Sequence, residues 1–362
     1  MFYRLLAEGL TSNPNTNVRV NSLIPINSKE QKKIFWRFDS ETENNIMYQY
    51  IPLVNLPFIR NFLASLYVFF QILFTRFSGN SINVIFVDFL RFSINVSIIL
   101  AGKIRGVKVL AIVNDMPGED VLEHSTLLKI RNKIIFFLKY DYYVCVTKQL
   151  EEVLNVNKKP SVVIESFVDI KMNRLSNEIS NKFKERVVVY AGGLYELYGI
   201  KSLIEAFTRF PDEDLRLWLY GIGPFTNEIL KYSKIDDRIQ YRGVIPNSQL
   251  LEILIKATLL VNPRPTNEGF SKYSFPSKNL EYMSTGTPLL TTKLPGMPQD
   301  HYPYVYFIED DRIDGVYNGM LNVLNKTRFE VHAFGLAAKD FVLQEKNNIQ
   351  QAYKIVNLLT NN

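Results

Sequence analysis

The sequence predicts an α/β fold made of two doubly wound, Rossmann-like domains facing a cleft, and three observations predict it. Short, strongly apolar runs such as Ile82–Val87, Val107–Val113 and Val187–Tyr190 alternate with segments of helical spacing, the pattern of parallel strands buried on both faces. Several of these runs end in Gly, Pro or Asn clusters, the loops at which an open parallel sheet holds its ligands. The chain has 362 residues, 47% of them apolar, enough for two cores. A polar Asn-, Ser- and Lys-rich stretch at 171–185 separates the two alternating halves as a linker.

Taken in order, Phe2–Leu10 has helical spacing, with Leu5, Leu6 and Leu10 on one side. Val18–Ile26 reads as a strand, Ile34–Phe38 as a shorter one, and Ile46–Val54 as a third extended stretch ended by Pro57. Phe58–Phe74 is helical and apolar nearly all round, with Arg60 and Arg76 near its ends. Such a helix is either buried core or a segment lying in a membrane interface. Ile82–Val87 is a buried strand, Ser93–Ala101 a helix and Val107–Val113 another buried strand, followed by the turn Asn114-Asp115-Met116-Pro117-Gly118. Asp115 at that strand's carboxyl end is a site candidate, with a capping or turn role as the alternative. A basic helix through Ile130–Leu138, the strand Tyr142–Val146, a helix from Lys148 to Leu154 and Val162–Ile164 complete the first half. A doubly wound domain normally opens on a strand, whereas this chain opens on a helix. The expectation is that a central first strand is missing and that roughly 15–25 upstream residues supply it.

The second half restarts at Val187–Tyr190 and runs into Ala191-Gly192-Gly193-Leu194, where two glycines allow a close backbone approach to a ligand. The helix Ile200–Phe210 follows, and the arrangement repeats at Leu215–Tyr220 with Gly221-Ile222-Gly223-Pro224, and at Ile239–Arg242 with Gly243. Leu259–Val261 is a strand stopped by Asn262-Pro263-Arg264-Pro265. Pro276 opens a helix that Gly286 and Pro288 close, and Leu289–Thr292 is the next strand. Arg264 in the loop and Lys278 in the helix's first turn supply two cations for a diphosphate. Glu281, three residues on, supplies a carboxylate for a pair of sugar hydroxyls. The competing reading of Lys278 and Glu281 is a solvated surface pair. Phe334–Leu359 is helical.

The net charge of +6 leaves nucleic acid, an anionic membrane or an anionic substrate as partners. No zinc-finger, homeodomain or RNA-recognition pattern is present, so nucleic acid is excluded first. The single Cys145 rules out an intrachain disulfide and fits a reducing compartment. No secretory signal or spanning segment is evident, and the expectation is a cytoplasmic protein at the inner face of the cell membrane. His124, His301 and His332 have no ligand spacing to one another. Glu309-Asp310-Asp311 reads as a solvated, charged turn, and Gly192-Gly193 lacks the spacing of a dinucleotide fingerprint.

The run SFPSKNLEYMSTGTPLL, residues 274–290, resembles the nucleotide-sugar segment of retaining glycosyltransferases of family 4, which have the two-domain GT-B fold. The resemblance extends from about Val187 to the C-terminus. It implies that Glu281 is the second glutamate of the family's paired-glutamate motif, a ribose-hydroxyl acceptor, while Tyr273 stands where the first would be. In the family the first glycine-rich loop carries an arginine, and a lysine precedes the next glycine, the pair gripping the diphosphate. Gly193 and Tyr198 occupy those positions here, leaving Arg264 and Lys278 as substitutes, with Lys201 and Arg242 weaker ones. Donor binding is thus assigned to Gly192, Gly193, Arg264, Tyr273, Ser274, Phe275, Lys278 and Glu281, and catalysis to Asp115 and Glu281.

The implied organisation is an acceptor-binding domain over 1–170, a nucleotide-sugar domain over 186–333 and a segment at 334–362 that crosses back. The implied activity is metal-independent transfer of a hexose-type sugar from a nucleotide diphosphate to a lipid-linked or glycan acceptor in surface polysaccharide synthesis. Peripheral contact with an anionic membrane accompanies it. The departures at Tyr273, Gly193 and Tyr198 keep open a non-catalytic binding subunit and a GT-B sugar-nucleotide epimerase.

Overall fold

The structure is a computed structural model that describes residues 2–24, 33–56, 59–79, 81–117 and 138–361. The chain forms two units, Met1–Ile164 with Asn348–Asn362, and Glu165–Asn347. Both crossings fall outside the polar stretch 171–185, which instead carries two short 3₁₀ turns, Ile170–Arg174 and Ile179–Asn181, within the second unit.

In the first unit, α1 (Phe2–Thr11) buries Leu5, Leu6 and Leu10. Five short strands follow: β1 (Arg19–Ser22), β2 (Phe35–Trp36), β3 (Glu41–Glu43), β4 (Ile46–Tyr50) and β5 (Leu53–Val54). β1 runs parallel to β4, β3 antiparallel to β4, and β2 antiparallel to β5. The sequence reading missed β3, which has no apolar alternation. Its hairpin rests on Asn44 and Asn45, whose φ of 51° and 63° match the strand twist as a type I′ turn. The single extended stretch expected over Ile46–Val54 is two strands, because Pro52 has no N–H to donate.

The helix α2 (Arg60–Phe74) is followed by β6 (Val84–Asp88), α3 (Phe92–Arg105), β7 (Lys108–Val113), β8 (Tyr142–Cys145), α4 (Lys148–Leu154) and β9 (Ser161–Val163). The four strands form a parallel sheet in the order β6-β7-β8-β9. Gly106 ends α3 in the left-handed conformation, φ 66°. α2 packs on α3 and buries Ala64, Ser65, Val68 and Ile72. Its other face, with Phe62, Leu66, Phe70 and Phe74, is exposed, so the helix is not core all round. Among the described residues, β1 and β6 each have a ladder partner on one side only. The basic helix expected at 130–138 lies outside the described residues except for Leu138.

The second unit is one six-stranded parallel sheet. β10 (Arg186–Ala191) leads to α5 (Ile200–Phe207), β11 (Leu215–Tyr220), α6 (Thr226–Ile235), β12 (Ile239–Gly243), α7 (Asn247–Lys256) and β13 (Leu259–Asn262). α8 (Ser277–Ser284), β14 (Leu289–Thr292), β15 (Tyr306–Ile308), α9 (Ile313–Leu324) and α10 (Arg328–Glu345) complete it. Along β10, Val188 and Tyr190 enter one apolar cluster while Val187, Val189 and Ala191 enter the other. That is the two-sided burial expected of a central strand, worth about 1.5–3 kcal/mol for each large apolar side chain.

Strand order is β12-β11-β10-β13-β14-β15. The winding therefore reverses between β10 and β13, and the loops leaving these two strands diverge around a crevice at their carboxyl ends. The single helix expected over Phe334–Leu359 is two helices, α10 and α11 (Asn348–Thr360), separated by Lys346-Asn347. α11 belongs to the first unit. There it lies so close to α1 that a Cβ at Gly9 would stand 2.2 Å from the Asn348 carbonyl oxygen.

Candidate functional site

The switch point between β10 and β13 gathers the donor-site residues picked out from sequence. Gly192 and Gly193 leave β10, Arg264 leaves β13, and Lys278 and Glu281 lie on α8. Two hydrogen-bond systems hold α8 there. Its buried Asn279 accepts from Asn262 at 2.6 Å, and Thr291 donates to the Asn262 carbonyl at 3.0 Å. Tyr282, 2% exposed, accepts from the Ala191 N–H at 2.7 Å and donates to the Ala191 carbonyl at 2.9 Å. The β10–β13 ladder has stopped by Val189, so the phenol replaces the neighbour that Ala191 would otherwise lack.

Lys278 is one helical turn before Tyr282 and shares its face. Its ammonium donates to the Tyr190 hydroxyl at 3.0 Å and lies 4.3 Å from that ring's centroid. Tyr190 in turn donates to the Gly193 carbonyl at 2.8 Å. Gly192 has φ 155°, and a Cβ there would stand 2.1 Å from the Lys278 nitrogen and push the ammonium aside. Lys278 and Glu281 form no ion pair among the described residues, and the solvated-pair reading does not hold. Burial and the neighbouring Arg264 pull the Lys278 pKa down to about 8, with Glu281 opposing.

The Arg264 guanidinium lies 5.0 Å from the Tyr198 ring centroid. A tyrosine thus carries the cation on its face where the family pattern places a lysine. The two loops are in direct contact: Gly199 has φ 80°, and a Cβ there would stand 2.0 Å from the Pro263 carbonyl oxygen. Asp311 braces the Arg264 loop by accepting from the Thr266 N–H and hydroxyl, both at 2.6 Å. That corrects the solvated reading of the acidic triplet, since Asp311 is a structural brace while Asp310 pairs with Arg312.

Glu281 is exposed, but the protein around it raises its carboxyl pKa, with Lys278 opposing. α8 begins at Pro276 with no side-chain cap, which suits an anion at its N-terminus. The Ser274 hydroxyl is buried without a hydrogen-bond partner among the described residues. Phe275 is buried 5.4 Å from the His301 ring, and Tyr273 is half-buried with Lys272 over its face.

His301 is drawn into a cluster that its sequence spacing did not suggest. Its Nδ1 lies 2.9 Å from Asp300, whose carboxyl is held well below the usual range by His301 and Lys346. Ligand-capable atoms of Glu165, Asp300 and His301 fall within 4.8 Å of one another. Lys346 pairs with Glu165 and lies 2.7 Å from Asp300. The Lys346 ammonium therefore already pairs with both carboxylates that a metal ion would need.

Asp115 belongs to the first unit, exposed just beyond β7. Beside it, Asn114 donates to the Tyr3 hydroxyl at 3.3 Å, and Asp88, the last residue of β6, pairs with Arg91 at 3.8 Å. Burial together with the Asp88 charge raises the Tyr3 phenol pKa far above its ordinary value. Two adjacent strand ends and α1 thus assemble a polar cluster, of which the sequence reading named only Asp115. Tyr3 and Asp88 carried no motif; only the strand order makes them neighbours.

Residues 185–326 match the family model described as glycosyl transferases group 1. No curated protein matches the chain. Among solved structures, a sucrose-phosphate synthase from Thermosynechococcus elongatus is similar, with TM-score 0.70 and 15% identity over 99% of this chain and 92% of that one. Anabaena HepE in complex with UDP-glucose is similar with TM-score 0.61 and 13% identity over 87% of this chain and 86% of that one. The lipopolysaccharide outer core galactosyltransferase WaaB, in its apo form, is similar with TM-score 0.58 and 16% identity over 87% and 84%. The shared fold is GT-B.

Proposed function

We propose, for a chain that carries a glycosyl transferases group 1 match in residues 185–326 on a GT-B fold, that it transfers a hexose from a nucleoside-diphosphate donor with retention of configuration. The acceptor is a lipid-linked or glycan chain of surface polysaccharide synthesis. One observation carries the reading: Lys278 of α8 and Arg264 of the loop after β13 converge on the glycine-rich turn at the switch point. Breaking the sugar–phosphate bond leaves oxocarbenium-like charge on the sugar and negative charge on the diphosphate. The two cations and the N-terminus of α8 stabilise that leaving group electrostatically. Glu281 accepts from the ribose hydroxyls, and Asp115 with its neighbours serves the acceptor side.

HepE is described in complex with UDP-glucose, which supports the donor class. Because lysine and arginine carry the leaving-group charge, the transfer runs without a divalent metal. The relocated cations serve diphosphate binding in an enzyme and in a non-catalytic nucleotide-sugar-binding subunit alike, and acceptor-dependent turnover separates the two. The test is to incubate the protein with a panel of nucleotide-sugars, with and without lipid-linked acceptor, and to follow nucleotide release. Acceptor-dependent release supports transfer. Release without acceptor, or none with any donor, overturns it.

The acceptor's lipid is served by the first unit. Between Glu43 and Asp115 the only acidic residue is Asp88, against Arg60, Arg76, Arg91, Lys103, Arg105 and Lys108. Along α2, Phe62 is 65% and Phe74 80% exposed, and Leu100 and Ile104 of α3 are exposed as well. No helix among the described residues is long and apolar enough to cross a membrane. An apolar face set among cations fits the surface of an anionic bilayer. Association with anionic vesicles should weaken as salt rises, and a protein that ignores such vesicles at low ionic strength removes the membrane claim.

A further inference from the structure

The family pattern places an arginine on the glycine-rich loop and a lysine before the next glycine, and this chain has Gly193 and Tyr198 there, so something else must aim its cations. We infer that Tyr190 is the positioning residue that holds Lys278 over the glycine-rich turn as the diphosphate ligand, and that the diphosphate binds together with a proton. The inference rests on the donor reading proposed above and deepens it.

Tyr190 is fully buried near the end of the central strand β10, so its ring cannot swing away. Its hydroxyl is used twice, accepting from Lys278 at 3.0 Å and donating to the Gly193 carbonyl at 2.8 Å. That chain of two bonds ties the lysine to the turn that faces the ligand. Gly192 leaves the room, since a Cβ there would push the ammonium out of this place. Tyr198 does the equivalent for Arg264, through its ring face.

The charges around the ammonium explain the proton. Tyr190 faces it from β10, Arg264 from the loop after β13, and Glu281 from α8 itself, with Tyr198 beyond Arg264 and Tyr282 one turn along the helix. No carboxylate lies within ion-pair distance of Lys278 among the described residues. With its pKa down to about 8, the lysine is partly neutral at that pH when the site is empty. A diphosphate placed beside it favours the ammonium, so the pKa rises on binding and a proton is taken up.

Calorimetry with UDP, GDP and ADP in buffers of different ionisation enthalpy measures this directly. Between pH 8 and 9 the terminal phosphate is already ionised, so any uptake belongs to the protein. Uptake for the nucleotide that binds should approach roughly three-quarters of a proton at pH 8.5 and fade towards pH 7. Tyr190→Phe should weaken nucleoside-diphosphate binding roughly tenfold while leaving the free nucleoside unaffected, and should move the uptake to lower pH, because the ammonium loses an acceptor. Lys278→Arg, which cannot titrate in this range, should bind without uptake. If Tyr190→Phe matches the parent in affinity and uptake, or Lys278→Arg still takes up the proton, the inference falls while the donor reading stands. A parent protein that binds none of the three nucleotides overturns both.

Discussion

Replacing Tyr282 by Phe removes one oxygen from a side chain that is 2% exposed and leaves its volume almost unchanged, so no cavity forms. The oxygen closes two bonds to Ala191, at 2.7 Å and 2.9 Å, at the point where β10 has lost its β13 partner. Deleting it leaves a buried N–H and a buried C=O unpaired, at about 1–3 kcal/mol each. Partial relaxation lowers the sum, and the expected loss is about 2–4 kcal/mol. Urea unfolding should show a lower midpoint with unchanged slope. Because Tyr282 also fixes the face of α8 that carries Lys278, nucleoside-diphosphate affinity should fall in the still-folded protein. A destabilisation below about 0.5 kcal/mol, which is ordinary for an uninvolved surface change, would refute the claim that this phenol completes the strand.

Glu281→Ala should abolish transfer and weaken nucleotide binding by about 2–3 kcal/mol, the loss of a charged bidentate acceptor; unchanged affinity for the free nucleoside diphosphate would show that Glu281 does not hold the ribose. Arg264→Ala should weaken diphosphate binding more than nucleoside binding, and equal losses would point to general unfolding. Activity should survive chelator, whereas a rate that collapses and returns with magnesium or manganese would show a metal requirement. Lys182, held by the Ile255 and Ala257 carbonyls and Thr287, has its pKa pulled by burial down to about 7 from 10.5. The unfolded chain therefore binds the extra proton between these values, and stability should rise with pH across that window and be lost as pH falls through 7. Lys182→Met should flatten that rise in a series of melting temperatures, and a slope identical to the parent's would refute it.

The α/β alternation, the two halves and the crevice at 264–281 were all legible in the sequence, because strand and helix periods are local properties that each segment carries by itself. Gly192, Arg264, Lys278 and Glu281 could be singled out as candidates because their loops and helix start leave a recognisable local pattern. What only the tertiary structure decided involves partners distant in the chain. The Lys278–Tyr190 bond spans 88 residues and exists because strand order sets β13 and its following helix against β10. The bracing by Asp311, the Tyr3–Asn114 contact and the Glu165–Asp300–His301–Lys346 cluster arise in the same way. The open face of α2 was undecided for a related reason: an all-apolar helix records that it can be buried, while the elements packed around it determine which side is.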